Sequence, residues 1–117
     1  MKKLNIIKKQ EEINNVIKNG KIIKSKLFNV YYIYNKDGKY HRFCICVSKK
    51  LGNAVVRNKN KRQIKDIIDK SNLVFPRQYD YVIILKKDIN LVSFSEKKDS
   101  LLKILCQLEG EKYEKEI

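Results

Sequence analysis

Between Ser48 and Lys65 the chain reads SKKLGNAVVRNKNKRQIK, with seven cations (Lys49, Lys50, Arg57, Lys59, Lys61, Arg62, Lys65) and no carboxylate before Asp66. Seven like charges repel one another, so such a segment needs a polyanionic partner and a fold that anchors only part of it. Ile64, Ile67 and Ile68 provide the anchor. On a helix turning about 100° per residue they share an arc of about 100°, and Asn58, Lys61, Arg62 and Lys65 form an adjoining arc of similar width. The segment predicts a helix over 56–70 with one edge in a core and the next edge a ladder of donors. Gly52-Asn53 predicts a tight turn before it. Arg57 and Asn58 then stand at the helix start, where unpaired N–H groups favour phosphate.

The rest of the chain must supply that core. Its 117 residues make one domain, long enough to fold without disulfides or metal staples. Lys and Arg number 27 against 13 Asp and Glu, a net charge of +14. Residues 109–117 hold four glutamates and two lysines, so the first 108 residues carry +16. The positive field belongs to the folded body, and nucleic acid is the first partner it implies, an acidic membrane the second. No apolar run approaches the ~20 residues of a bilayer span, and MKKLNIIKKQEE lacks the apolar stretch of a secretory signal. Three cysteines without a framework spacing fit free thiols in a reducing cytoplasm.

Ile13, Val16 and Ile17 mark one face of a short helix over 10–19, with Glu11 and Glu12 in its first turn, Lys18 in its last and Gly20 as its stop. Residues 27–35 and 40–48 predict strands, joined by a Lys36-Asp37-Gly38-Lys39 turn that reads as a hairpin signal. NLVFPRQ predicts a loop, residues 79–86 a strand buried on both faces, and residues 93–108 a helix with a stripe of Leu101, Leu102, Ile104, Leu105 and Leu108. The fold expected is an α/β (α+β) two-layer sandwich: one mixed sheet and about three helices, in the order helix-strand-strand-helix-strand-helix. Residues 1–108 form a single RNA-binding domain and 109–117 a charged C-terminal tail.

Strand alternation sorts the side chains. Phe28, Val30, Phe43, Ile45 and Val47 are assigned to the core, which leaves Asn29, Tyr31, Cys44, Cys46 and Ser48 on the open face. His41 is expected to be exposed beside the turn. Cys44 and Cys46 lie two apart, yet no second pair of ligands stands nearby, so small-residue packing is the expectation and no metal site is assigned. Asp66 and Asp69 are expected to bridge to lysines.

The basic run closely resembles the signature of the bacterial ribonuclease P protein subunit family, Ser-Lys-Lys-x-Gly-Asn-Ala-Val-x-Arg-Asn-Arg-x-Lys-Arg. Ser48, Lys49, Lys50, Gly52, Asn53, Ala54, Val55, Arg57, Asn58, Lys61 and Arg62 match it. Lys59 replaces the usual arginine, keeping charge but losing the bidentate fork, and Asn60 replaces a residue that is more often apolar. The resemblance implies a left-handed β-α-β crossover through the basic helix. It implies a protein that assists a catalytic RNA in cutting the 5′ leader from precursor tRNA. The RNA subunit would be bound by Lys49, Lys50, Asn53, Arg57, Asn58, Lys59, Lys61, Arg62 and Lys65. The leader would lie in a cleft formed by Ile13, Ile17, Asn29, Tyr31, Cys44, Cys46 and Ser48, whose small residues leave room for a nucleotide chain. Tyr31 matches the family's cleft aromatic, while Ile13 and Ile17 stand where phenylalanines are usual.

No nucleophile, general base or carboxylate cluster for two metals is recognisable, so no catalytic residue is assigned. The resemblance implies that Mg²⁺ is held mainly by the RNA subunit, and no membrane or obligate protein partner is implied. Composition alone permits a rival, a standalone RNA-binding or ribosome-associated module without a processing role.

Overall fold

The computed structural model describes the backbone of residues 1–116 and the side-chain surroundings of residues 1–109. Helix α1 spans Gln10–Asn19, strand β1 Lys21–Lys24, β2 Phe28–Tyr34, β3 Arg42–Cys46, helix α2 Ala54–Lys70, strand β4 Tyr79–Leu85 and helix α3 Phe94–Glu116. The strands form one mixed sheet in the order β1-β2-β4-β3. β2 is antiparallel to β1 and β4, and β3 runs parallel to β4, which it reaches through α2.

The expected hairpin does not form. The turn after Asn35 is present, with Gly38 N–H donating to the Asn35 carbonyl, but β4 lies between β2 and β3. A turn signal is local, whereas strand pairing is decided by burial. β4 is the strand with apolar residues on both faces, and a central position satisfies both. Its Tyr81, Val82 and Ile83 are fully buried.

β1 is a strand that the sequence reading left out. It adds an outer edge through the pairs Lys21–Tyr32 to Lys24–Asn29. Gly20 permits the abrupt entry from α1, since a Cβ there would stand 2.4 Å from the Val16 carbonyl oxygen and 2.7 Å from that of Tyr32. α3 continues beyond the apolar stripe to Glu116. The side chains of the charged tail from residue 110 onward lie outside the described residues.

The two sheet faces are unequal. Phe28, Val30, Tyr32, Phe43, Ile45, Tyr81, Ile83 and Leu85 meet Ile64, Ile67 and Ile68 of α2 and Leu101, Ile104, Leu105 and Leu108 of α3. The core assignments of Phe28, Val30, Phe43 and Ile45 hold, and Val47 packs half-buried at the margin. The opposite face is only partly covered: α1 lays Val16 against Val82 and Ile7, with Ile13, Ile17 and Tyr31 around them. Helices therefore occupy both sides, two on the main core and one on the second face.

Arg42 fastens α1 to the sheet. Its guanidinium donates to Asp80 through Nε at 2.9 Å and Nη2 at 2.8 Å, and to Glu12 on α1 at 2.6 Å. The Arg42 hydrogen bond holds the Glu12 carboxyl below its ordinary range, and the two carboxylates hold Arg42 charged.

His41 is half-buried, not exposed. Its ring lies 5.9 Å from that of Phe43 and 5.6 Å from that of Phe75, which the 71–78 loop sends into the core. Burial lowers its pKa below the ordinary 6.5. As pH falls the unfolded chain binds this proton before the folded one does. His41 therefore costs no stability above about pH 6.5 and progressively more below it. Thermal melts from about pH 7 to pH 5 are expected to show a loss of Tm that shrinks in His41→Phe, and an unchanged loss would refute this placement.

Candidate nucleic-acid interface

The basic segment begins with a 3-10 turn over Lys49–Leu51, capped by the Ser48 hydroxyl, which accepts from Lys50 N–H. Ser48 therefore stands two residues beyond the end of β3, although alternation predicts a strand over 40–48 that includes it. Gly52 follows at φ 142°, in a region that favours glycine, and a Cβ there would meet the Val56 side chain at 3.0 Å. Asn53 caps α2 by accepting from Val56 N–H at 3.0 Å. The helix thus opens at Ala54, earlier than expected. Arg57 N–H is already bonded to the Asn53 carbonyl at 3.0 Å, so the unpaired N–H groups belong to the turn before Arg57 and Asn58.

Burial of Ile64, Ile67 and Ile68 sets the rotation of α2. Asn58 and Arg62 are exposed, as are Lys49 and Lys50. Lys61 and Lys65 lie half-buried along the flank that faces β3, close enough for both to act electrostatically on Cys44. Among the described residues none of the seven cations has a carboxylate within ion-pair distance. The carboxylates of α2 are directed elsewhere: Asp66 bridges to Lys70 at 3.2 Å and Asp69 to the N-terminal amine. The expected partner lysine holds for Asp66 only. Arg57 is half-buried, and its Nε is a donor with no hydrogen-bond partner.

Lys59 stands outside the ladder of Asn58, Lys61, Arg62 and Lys65. It lies on the far flank of α2, lining a cavity of about 590 Å³ with Asn60, Gln63, Asn90, Phe94 and Lys97. Asn60, the departure from the family pattern, is 2% exposed and fully engaged. Its amide donates to Asn90 Oδ1 at 2.9 Å and to the Val56 carbonyl, and its Oδ1 accepts from the Lys97 ammonium at 3.0 Å. Lys97 is 7% exposed and also donates to Gln63 Oε1 at 2.9 Å. Burial and then Lys59 hold its pKa below the ordinary lysine value. Reading the 48–65 run alone misses Asn90 and Lys97, because they lie 30 and 37 residues away from Asn60. The one signal was a polar residue at a position that the helical pattern assigns to the core.

Beside the ridge, Asn29, Tyr31, Cys44 and Cys46 lie half-buried on one face of the sheet, with Val82 and Ile84 of β4 between them. Ile13 and Ile17 of α1 pack half-buried on the same face, and Lys61 and Lys65 of α2 come near Cys44. Asn29 Oδ1 is buried there without a hydrogen-bond partner.

Comparison with known proteins gives the family. The Ribonuclease P family model matches residues 1–109. This chain belongs to the ribonuclease P protein family. The ribonuclease P protein component of Carboxydothermus hydrogenoformans is 41% identical over 106 residues, covering 90% of this chain and 91% of that protein. That of Mesoplasma florum is 40% identical over 108 residues, covering 92% and 97%. The RNase P protein of Staphylococcus aureus superposes with a TM-score of 0.78 at 30% identity, over 90% of this chain and 97% of that one. That of Thermotoga maritima gives 0.76 at 29% identity, over 88% and 96%. As a ribonuclease P component the chain is assigned to tRNA processing, and no helix among the described residues is long and apolar enough to cross a membrane.

The buried polar group around Asn60 yields a test. Asn60→Leu removes one of the two acceptors of the Lys97 ammonium and the donor to Asn90, and a loss of about 2–3 kcal/mol in urea unfolding is expected. Adding Lys97→Met is expected to recover most of that loss, so additive costs in the double-mutant cycle would show that the two side chains are not coupled.

Proposed function

We propose that the chain is the protein subunit of a cytoplasmic ribonucleoprotein in which a catalytic RNA and its Mg²⁺ hydrolyse the phosphodiester that joins the 5′ leader to precursor tRNA. The observation that carries this reading is the set of seven cations, none with a carboxylate partner among the described residues, on one preorganised turn and helix. Lys49, Lys50, Arg57, Asn58, Lys61, Arg62 and Lys65 neutralise and order backbone phosphates of the RNA subunit, and Asn53 holds the helix start that presents them. Lys59, on the other flank, meets a different RNA segment.

The leader lies in the cleft as a single strand. The Tyr31 ring and the aliphatic Ile13 and Ile17 pack on its bases, Asn29 Oδ1 accepts from a base amino group, and Lys61 and Lys65 attend its phosphates. Cys44 and Cys46 leave room for the chain. Mg²⁺ belongs to the RNA in this reading, because the α2 carboxylates nearest the ridge are engaged with Lys70 and the N-terminal amine. The protein raises affinity and fixes geometry, and the metal-bound RNA supplies the hydrolytic step.

Contacts to about six phosphates give a log–log salt slope of about −4 to −5 for binding to the RNA subunit. Replacing both Arg57 and Arg62 by alanine is expected to reduce the magnitude of that slope by about 2 with little change in Tm. Collapse of Tm with RNA affinity intact would overturn the assignment of this face. Added to a bacterial ribonuclease P RNA at low Mg²⁺, the chain is expected to accelerate cleavage at the mature 5′ end. Tyr31→Ala is expected to lower precursor affinity by about 1–3 kcal/mol while sparing mature tRNA. Equal losses for both RNAs would remove the leader-cleft role. RNA binding with no stimulation of cleavage would favour the standalone module.

A further inference from the structure

Two thiols share the sheet face proposed for the leader, where their small size is used and their chemistry is not. Cys44 and Cys46 project from the same side of β3, an edge strand, with their sulfurs 3.7 Å apart in a thiol hydrogen bond. Both are half-buried, and Lys61 stands near each of them. Either sulfur can donate to the other, so whichever loses its proton keeps the neighbour's S–H as a donor and has Lys61 nearby. That contact and the lysine charge favour a thiolate, the form that attacks disulfides, and burial opposes it. Lys61 and Lys65 have no carboxylate partner among the described residues.

We propose that the Cys44–Cys46 pair is a thiol modification site that takes up one half of a negatively charged low-molecular-weight disulfide as a mixed disulfide beside Lys61 and Lys65. The thiolate attacks one sulfur of the incoming disulfide. A protein–reagent S–S bond forms, the reagent's own S–S bond breaks, and its other half leaves as a thiolate with the bonding electron pair. The reagent is itself the oxidant. A second attack by the neighbouring cysteine would close a bond between residues i and i+2 of one strand. Their Cα atoms are held about 6.4–6.8 Å apart by the strand repeat, at the upper limit of the ~4.4–6.8 Å that disulfides span. The mixed disulfide is therefore the product that persists. Negative charge is selected because Lys61 and Lys65 attract it. The adduct stands on the sheet face that also carries Tyr31, one strand away across Val82, and, resting on the leader-cleft reading above, obstructs the leader.

The test uses the full-length reduced protein, with the exposed Cys106 as internal reference. Treatment with 5,5′-dithiobis(2-nitrobenzoate), an anionic disulfide, is followed by intact mass and peptide mapping. One retained reagent half on the peptide holding Cys44 and Cys46 is expected, formed at least about tenfold faster than on Cys106 and slowed by salt. Cystamine, a cationic disulfide, is expected to lose that preference, as is the Lys61→Gln, Lys65→Gln variant. Faster reaction at Cys106, an equal preference for cystamine, or closure of the pair with release of both reagent halves would overturn the proposal. The adduct is then tested for binding: loss of precursor tRNA affinity relative to mature tRNA, reversed by reductant, is expected. An adduct that forms but leaves precursor affinity unchanged overturns the leader-cleft reading and leaves the thiol site standing.

Discussion

The rotation of α2 is decided by three isoleucines. Burying Ile64, Ile67 and Ile68 contributes roughly 1.5–3 kcal/mol per side chain. Interactions among exposed cations in water are each worth about 1 kcal/mol or less and are screened by salt. The apolar edge therefore wins, and every cation is carried to the position that the helical repeat allots it. Lys61 and Lys65 face β3, Asn58 and Arg62 face solvent, and Lys59 is turned towards α3. A cationic surface arises here as the remainder of a packing solution, and it stays open because no carboxylate of the described fold reaches it.

The second determinant is the insertion of β4 between β2 and β3. It makes β3 an edge strand, and around that edge Lys61 and Lys65 of α2 come near Cys44. It also sets Asp80 beside Arg42 in the β3–β4 register, and Arg42 in turn reaches Glu12 on α1. Removing a partner from so enclosed an ion pair typically costs about 3–5 kcal/mol, moderated here because Arg42 and Glu12 keep some exposure. One cluster of charge thus holds α1 over the sheet face that carries Cys44 and Cys46.

What the sequence made legible follows from the range of each interaction. α1 was readable to the residue because its cap charges, apolar face and terminal glycine are all local. The sorting of Phe28, Val30, Phe43 and Ile45 from Asn29, Tyr31, Cys44 and Cys46 was readable because alternation along a strand is a short-range rule. Strand order was not, since the Asp37-Gly38 turn says how the chain reverses and nothing of what slides between the arms. β1 escaped because KIIK is four residues at a sheet edge with little burial to pattern it. His41 beside a turn looked exposed until Phe75, more than 30 residues on, closed over it. Ser48 matched a strand by alternation but was taken by the tighter demand of capping the next turn.

The sheet face between α1 and the α2 lysines is chemically two-sided, and that bears on how the proposed leader would lie on it. α1 offers Ile13 and Ile17, the sheet offers Tyr31, and α2 offers Lys61 and Lys65. On the proposed reading the RNA backbone would run along the lysines and its bases along the apolar side, so the polarity of the two sides would set which edge of the nucleotide faces which helix. Aliphatic side chains would pack on any base without the face-on preference of a ring. Discrimination among bases would then fall to Asn29 Oδ1, a buried acceptor without a hydrogen-bond partner that would gain one only from a base with a donor facing it.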